Sequence, residues 1–174
     1  RDTFARAEHA AAREAGKDVY PALLAEMPPE PASVVVLPHF TATGPPEFIT
    51  DSCGVMAGLR LGTSRGAILK GILEGATFYV RECIETLPET GIRVEEVRVA
   101  GGGSQSDAWV QLTADILGRT LTRPAVTEAG ATGAAILAGV ACGAYGSFDE
   151  GVEAMVRLDR VFEPNSAMEG PYVR

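Results

Sequence analysis

Three consecutive glycines, Gly101-Gly102-Gly103, lie between an extended apolar stretch (Val97 to Ala100) and a segment that opens a helix near Ser104 to Asp107. A strand that runs into glycines at a helix start lets a flat ring or a phosphate lie against bare backbone, because no Cβ stands in the way. Unpaired N–H groups and the helix dipole favour an anion or a ligand oxygen at the same place. The dinucleotide fingerprint GxGxxG would need glycine where Ser106 stands, and GxxxxGK(S/T) occurs nowhere in the chain. Two readings stay open: a tight strand-to-helix turn without a ligand, or a floor for a nucleotide. On the second, Ser104 and Asp107 are the nearest polar side chains for ribose or base edges. Asp107 alone reads equally as a carboxylate capping the helix.

The segment Thr127 to Ala135 places Gly130 and Gly133 inside a helical pattern. Each interior glycine costs roughly 1 kcal/mol relative to alanine, so the expectation is close packing against the preceding glycine turn, ahead of direct contact with a ligand, with Glu128 capping the helix or holding a loop near a ligand. The loop Thr41-Ala42-Thr43-Gly44-Pro45-Pro46 lines a cleft or serves as a rigid connector. His39 and His9 have no second imidazole or acid at metal-ligand spacing, so no metal site is expected. There is no GxSxG, and Cys53 is expected in the core rather than as a nucleophile. Cys53, Cys83 and Cys142 are odd in number and set among apolar residues, which predicts buried free thiols in a reducing cytoplasm.

The elements that must position these residues follow from periodicity and caps. Helices are expected over Phe4–Gly16, over Val19–Met27 (inward face Tyr20, Leu23, Leu24 and Met27), over Arg65–Leu87, over Ser106–Leu117 with Gly118 closing it, over Thr127–Gly143 and over Ser147–Val156. The long helix should bury Ile68, Ile72, Ala76, Phe78 or Tyr79, and Cys83, with Thr63 or Ser64 as its cap. Trp109, Leu112 and Ile116 should face inward from theirs. Strands are expected at Val34–Leu37 (buried), Gly54–Leu61, Val94–Ala100 and Thr120–Pro124, and an irregular tail from Glu163. This alternation predicts an α/β layer fold, read as a single domain over residues 1–174. The chain has 174 residues and a net charge of −8. It carries no basic stripe with interleaved aromatics, so nucleic acid is not an expected partner. No apolar run reaches the ~18 residues of a membrane span, and no signal peptide is visible. The first residue is not Met and lies within a helical pattern, which suggests a piece of a longer polypeptide.

Taken in order, these segments resemble a known family. Ala100 to Gly118 is similar to the nucleotide-site motif of the FGGY carbohydrate kinases, which include xylulokinases and glycerol kinases, and Glu128 to Gly139 to the helix that follows it. Gly54-Val55-Met56-Ala57-Gly58-Leu59 and Ile72 to Phe78 also fit, as does Thr41 to Phe48, in a form nearer glycerol kinases than the Glu-Arg-Thr-Pro form of many xylulokinases. Cys53 departs from the usual Arg before Gly54, and an Asp-Pro-Asp run is reduced to Asp51. The resemblance implies an actin/Hsp70-like (ribonuclease H-like) fold of two domains around a cleft, with this chain as most of the C-terminal domain. It implies ATP and Mg²⁺, the Mg²⁺ bound mainly by residues outside this chain, and a sugar or polyol substrate. It further implies an N-terminal domain carrying the catalytic aspartate as partner, a homodimer as one assembly, and a cytoplasmic enzyme. Gly102 and Gly103 would flank the adenine, with Gly101, Ser104 and Asp107 completing the nucleotide contacts. The rival readings are another actin-like ATPase or acyl kinase, and a non-catalytic ATP-binding module.

Overall fold

A computed structural model describes residues 5–44 and 47–172. The chain divides into two compact units, one of Arg1–Arg93 with Ala167–Arg174 and one of Val94–Ser166. The expected helix start at Phe4 and the loop residues Pro45 and Pro46 lie outside the described residues.

In the first unit the alanine-rich stretch forms α1 (Arg6–Glu14). It stops at Gly16, whose φ of +62° only glycine adopts cheaply. Helix α2 (Tyr20–Leu24) is shorter than Val19–Met27, because the backbone tightens into turns before the prolines that follow. Only Leu23 of its expected inward face is buried; Tyr20 is exposed. Val19 takes its place, packing with Ala5, Ala12 and Leu69. Strand β1 (Val35–Leu37) pairs antiparallel with β2 (Val55–Ala57). It alternates instead of being buried throughout. Val34 and Val36 are covered, whereas Val35 and Leu37 face out of a two-stranded ribbon.

Helix α3 (Arg65–Thr86) is capped by Ser64, whose Oγ accepts from the Ala67 N–H at 3.1 Å. Thr63, the alternative cap, accepts from the Arg60 N–H instead. The buried face of α3 is not the expected apolar one. It consists of Gly66, Ala67, Lys70, Gly71, Glu74, Gly75 and Thr77, while Ile68, Ile72, Ala76, Tyr79 and Cys83 are half-buried and Phe78 is exposed. Backbone comes close here: a Cβ at Gly66 would stand 1.9 Å from the Glu26 carbonyl oxygen, and one at Gly75 2.0 Å from that of Val36. The polar members of this face are satisfied. Lys70 Nζ donates to the carbonyls of Pro28, Pro29 and Glu30 at 2.8, 2.9 and 2.6 Å. The Ala32 N–H donates to both Glu74 oxygens.

The second unit holds β3 (Val97–Arg98), α4 (Asp107–Leu117), β4 (Leu121–Pro124), α5 (Ala129–Ala141), α6 (Phe148–Met155) and β5 (Leu158–Phe162). Strand β4 is central, parallel to β3 and antiparallel to β5. Strand β5 lies where the sequence predicts no element. Helix α4 is capped by Ser106 and closed by Gly118 at φ +60°. It buries Val110, Leu112, Ala114, Ile116 and Leu117, with Trp109 only partly covered. Ser147 caps α6, its Oγ accepting from the Glu150 N–H at 3.1 Å. Helix α5 is narrower than Thr127–Gly143 and buries Ile136 alone. Gly130 and Gly133 have nothing within 4 Å of an added Cβ, so the close packing expected of them is absent; Gly139 and Gly151 make the close contacts, with Tyr145 and Ile136. Glu128 makes no side-chain cap bond.

The tail from Glu163 is not irregular: α7 (Ser166–Tyr172) forms there, and the Tyr172 hydroxyl donates to Glu74 at 2.8 Å. Cys53 and Cys142 are exposed and Cys83 is partly covered, so the cysteines are free but not the buried thiols expected. No described helix is long and apolar enough to cross a membrane.

Candidate functional site

The glycine turn lies wholly in the second unit. Beyond β3 the parallel ladder continues through the Val99 N–H, which donates to the Thr122 carbonyl at 2.9 Å. Gly101 then reverses the chain at φ +85°, and its N–H donates to the Thr127 carbonyl at 2.8 Å. That bond fastens the turn to the residues that lead into α5. Gly102–Gln105 form one 3₁₀ turn, and Ser106 opens α4.

The sequence candidates divide by what they face. Gly101 and Gly102 have no atom within 4 Å of an added Cβ, and Gly102 also has ordinary negative φ, so its surface is open and unstrained. Gly103 lies against the Trp109 ring, 3.1 Å from where its Cβ would be. Ser104 is buried, and its hydroxyl donates back to the Gly101 carbonyl at 2.7 Å. Its part in the turn is to hold the turn's shape.

Asp107, first residue of α4, carries the site's densest chemistry. Its Oδ1 accepts from Arg123 Nη1 at 2.8 Å, and its Oδ2 accepts from Arg160. Arg123 Nη1 also donates to the Ser104 carbonyl at 3.0 Å, and Nη2 to Asp159 at 3.4 Å. Both guanidinium groups lie over the Phe162 ring, 5.3 and 5.0 Å from its centroid. The Arg123 hydrogen bond, the largest effect, holds the Asp107 carboxyl below the usual carboxylate range; desolvation opposes it, and the charges of Arg160 and Arg123 and the Arg160 hydrogen bond assist it. Its place at a helix N-terminus adds to this. From the sequence, Arg123 is expected only as part of the strand Thr120–Pro124, and Arg160 and Phe162 carry no expected role. Their strand register, with Leu121 opposite Phe162 and Arg123 opposite Arg160, puts all four on one face of the sheet.

The other candidates stand apart. Gly133 lines a cavity of about 310 Å³ with Ala100, Pro124, Val126 and Ile136. In the first unit, the loop after β1 is closed by its own bonds, Thr43 N–H to Ile49 O at 3.0 Å and Ile49 N–H to Thr43 Oγ1 at 2.7 Å. His39 meets Tyr79 edge to face at 5.1 Å. Among the described residues no group of three or more His, Cys, Asp or Glu side chains is placed to hold a metal.

The family model described as "FGGY family of carbohydrate kinases, C-terminal domain" matches residues 1–142. A glycerol kinase of Oleidesulfovibrio alaskensis is 38% identical over 144 residues, 81% of this chain and 28% of its own. The structure of a xylulose kinase from Rhodospirillum rubrum superposes with a TM-score of 0.74 at 28% identity, covering 96% of this chain and 34% of that one. The glycerol kinase of Plasmodium falciparum, solved with ADP, does so with a TM-score of 0.68 at 25% identity, covering 83% of this chain and 29% of that one. The chain thus spans well under a third of the length of the curated relatives it matches.

Proposed function

This chain belongs to the FGGY family of carbohydrate kinases, and on that footing we propose that the whole protein transfers the γ-phosphoryl group of ATP to a hydroxyl of a sugar or polyol, with this chain supplying the adenosine side of the site. The observation that carries the reading is the turn between β3 and α4. Gly102 offers bare, unstrained backbone at the head of the 3₁₀ turn that leads into the eleven-residue α4, with Ser104 and Asp107 fixing the turn behind it. The Plasmodium relative was solved with ADP, which supports an adenine nucleotide as the ligand.

In such a reaction the terminal P–O bond of ATP breaks to give ADP, and the acceptor oxygen bonds to phosphorus and gives up its proton to a carboxylate. Catalysis is mainly positioning and charge stabilisation. We assign this chain the positioning of the adenosine. The base and the sugar contacts are assigned elsewhere in the protein. Mg²⁺ would neutralise phosphate charge, but the described residues hold no carboxylate cluster that fits it, and no step in this chain is routed through it. The relatives include both glycerol and xylulose kinases, which keeps the acceptor at the level of a sugar or polyol.

Calorimetric titration of the 174-residue chain with MgATP and MgADP tests the reading. The wild type is expected to bind. Gly102→Val should weaken binding at least ~10-fold, about 1.4 kcal/mol, with little change in thermal unfolding. Unchanged affinity in that variant refutes the floor. The chain alone should transfer no phosphate to glycerol or xylulose.

A further inference from the structure

We propose that Arg123 is the positioning residue of the nucleotide turn, and that Asp107 acts through Arg123 rather than by touching the ligand. The inference rests on the nucleotide reading above. Arg123 comes from β4, the central strand of its sheet, and its side chain is only 13% exposed. One guanidinium nitrogen bridges the Ser104 carbonyl, inside the turn, and Asp107 Oδ1, at the head of α4. The other nitrogen reaches Asp159, and the plane rests over Phe162. The sheet, the turn and the helix start are thereby held by one planar fork, which an ammonium group cannot reproduce.

Asp107 is half exposed, but both of its oxygens are already paired with arginines. Each of its oxygens already accepts a charge-assisted hydrogen bond, one from Arg123 and one from the half-exposed Arg160. A ligand N–H seeking this carboxylate would have to compete with two guanidinium groups. The carboxylate's effect on the site is to fix the direction of Arg123, whose second bond shapes the Ser104 backbone. That backbone is locked in turn to Gly101, because the Ser104 N–H and Oγ both donate to the Gly101 carbonyl. The open face of Gly102 lies between these two fixed points.

The test is a double-mutant cycle on the full chain, read as MgATP affinity. Arg123→Gln and Asp107→Asn are each expected to weaken binding ~10-fold, and the double variant to be no weaker than Arg123→Gln alone, since coupled groups are not additive. Arg119→Gln, whose guanidinium donates to the Val94 carbonyl away from the turn, should bind like wild type. Arg123→Lys keeps the charge and loses the fork. It should fold with near wild-type thermal unfolding yet bind weakly, so the cycle survives even if Arg123→Gln does not fold. Wild-type affinity in Arg123→Lys overturns the inference. So does a further ~10-fold loss on adding Asp107→Asn to Arg123→Gln, which would mean that Asp107 touches the nucleotide. Failure of the wild type to bind MgATP overturns the nucleotide reading and the inference with it.

Discussion

The Asp107 carboxylate is held by two arginines that lie 16 and 53 residues away in sequence. Its depressed folded pKa has a definite sign in stability. The pairing contributes fully above the ordinary carboxylate pKa of about 4 and is lost as pH falls through the lower folded value. Thermal unfolding of wild type and Asp107→Asn should therefore differ near neutral pH and converge under strong acid. The gap should be small, since the carboxylate is half exposed and such pairs contribute about 1 kcal/mol or less. A gap that widens on acidification contradicts the assignment. The strand, the glycine turn and the start of α4 were legible in the sequence because they are local signals, although the cap there is Ser106 and not Asp107. Arg123, Arg160 and Phe162 were not, because only the β4–β5 register brings them to the turn. The same contacts decide which glycine is informative: a side chain at Gly103 strikes Trp109 first, whereas one at Gly102 meets open space.

Among the elements, α3 shows where periodicity misleads. Its isoleucines mark an apolar stripe, yet the face that packs is the one whose glycines admit the backbone of other segments. Close approach of backbone outweighed side-chain hydrophobicity, and a hydropathy pattern carries no sign of it. Gly75→Ala should thus destabilise the chain by about 1–3 kcal/mol, since its Cβ must displace the Val36 carbonyl. Gly62→Ala, which meets nothing within 4 Å, should stay within about 0.5 kcal/mol of wild type. Urea unfolding of both variants checks this, and equal midpoints would discount the close approach. The helix boundaries set by Ser64 and Gly118 were readable from caps. Strand β5 was not, because Leu158 to Val161 are all exposed and leave no apolar alternation. Helix α7 hid behind Gly170 and Pro171, residues that argue against a helix.

At the scale of the whole chain, a net charge of −8 gives no long-range attraction for a nucleotide that is itself an anion. Screening over about 8 Å at physiological ionic strength confines that repulsion, and on the proposed reading recognition would fall to local backbone and shape at the open face of Gly102. The basic residues are very unequal: Lys17 and Lys70 are the chain's two lysines, the rest being arginine. Lys17 is exposed, whereas Lys70 is 4% exposed with its ammonium gripped by three carbonyls. An acylating reagent needs a bare, deprotonated amine, so Lys17 should be modified at once in native buffer and Lys70 only after urea opens the structure, as peptide mass spectrometry would read. Equal rates for the two would mean that the Pro28–Glu30 carbonyls do not close over Lys70 in solution. With one lysine always reachable and the other sealed, the chain carries its own reference and its own reporter: the ratio of the two acylated peptides is a tag-free gauge of how often its buried interior opens to solvent.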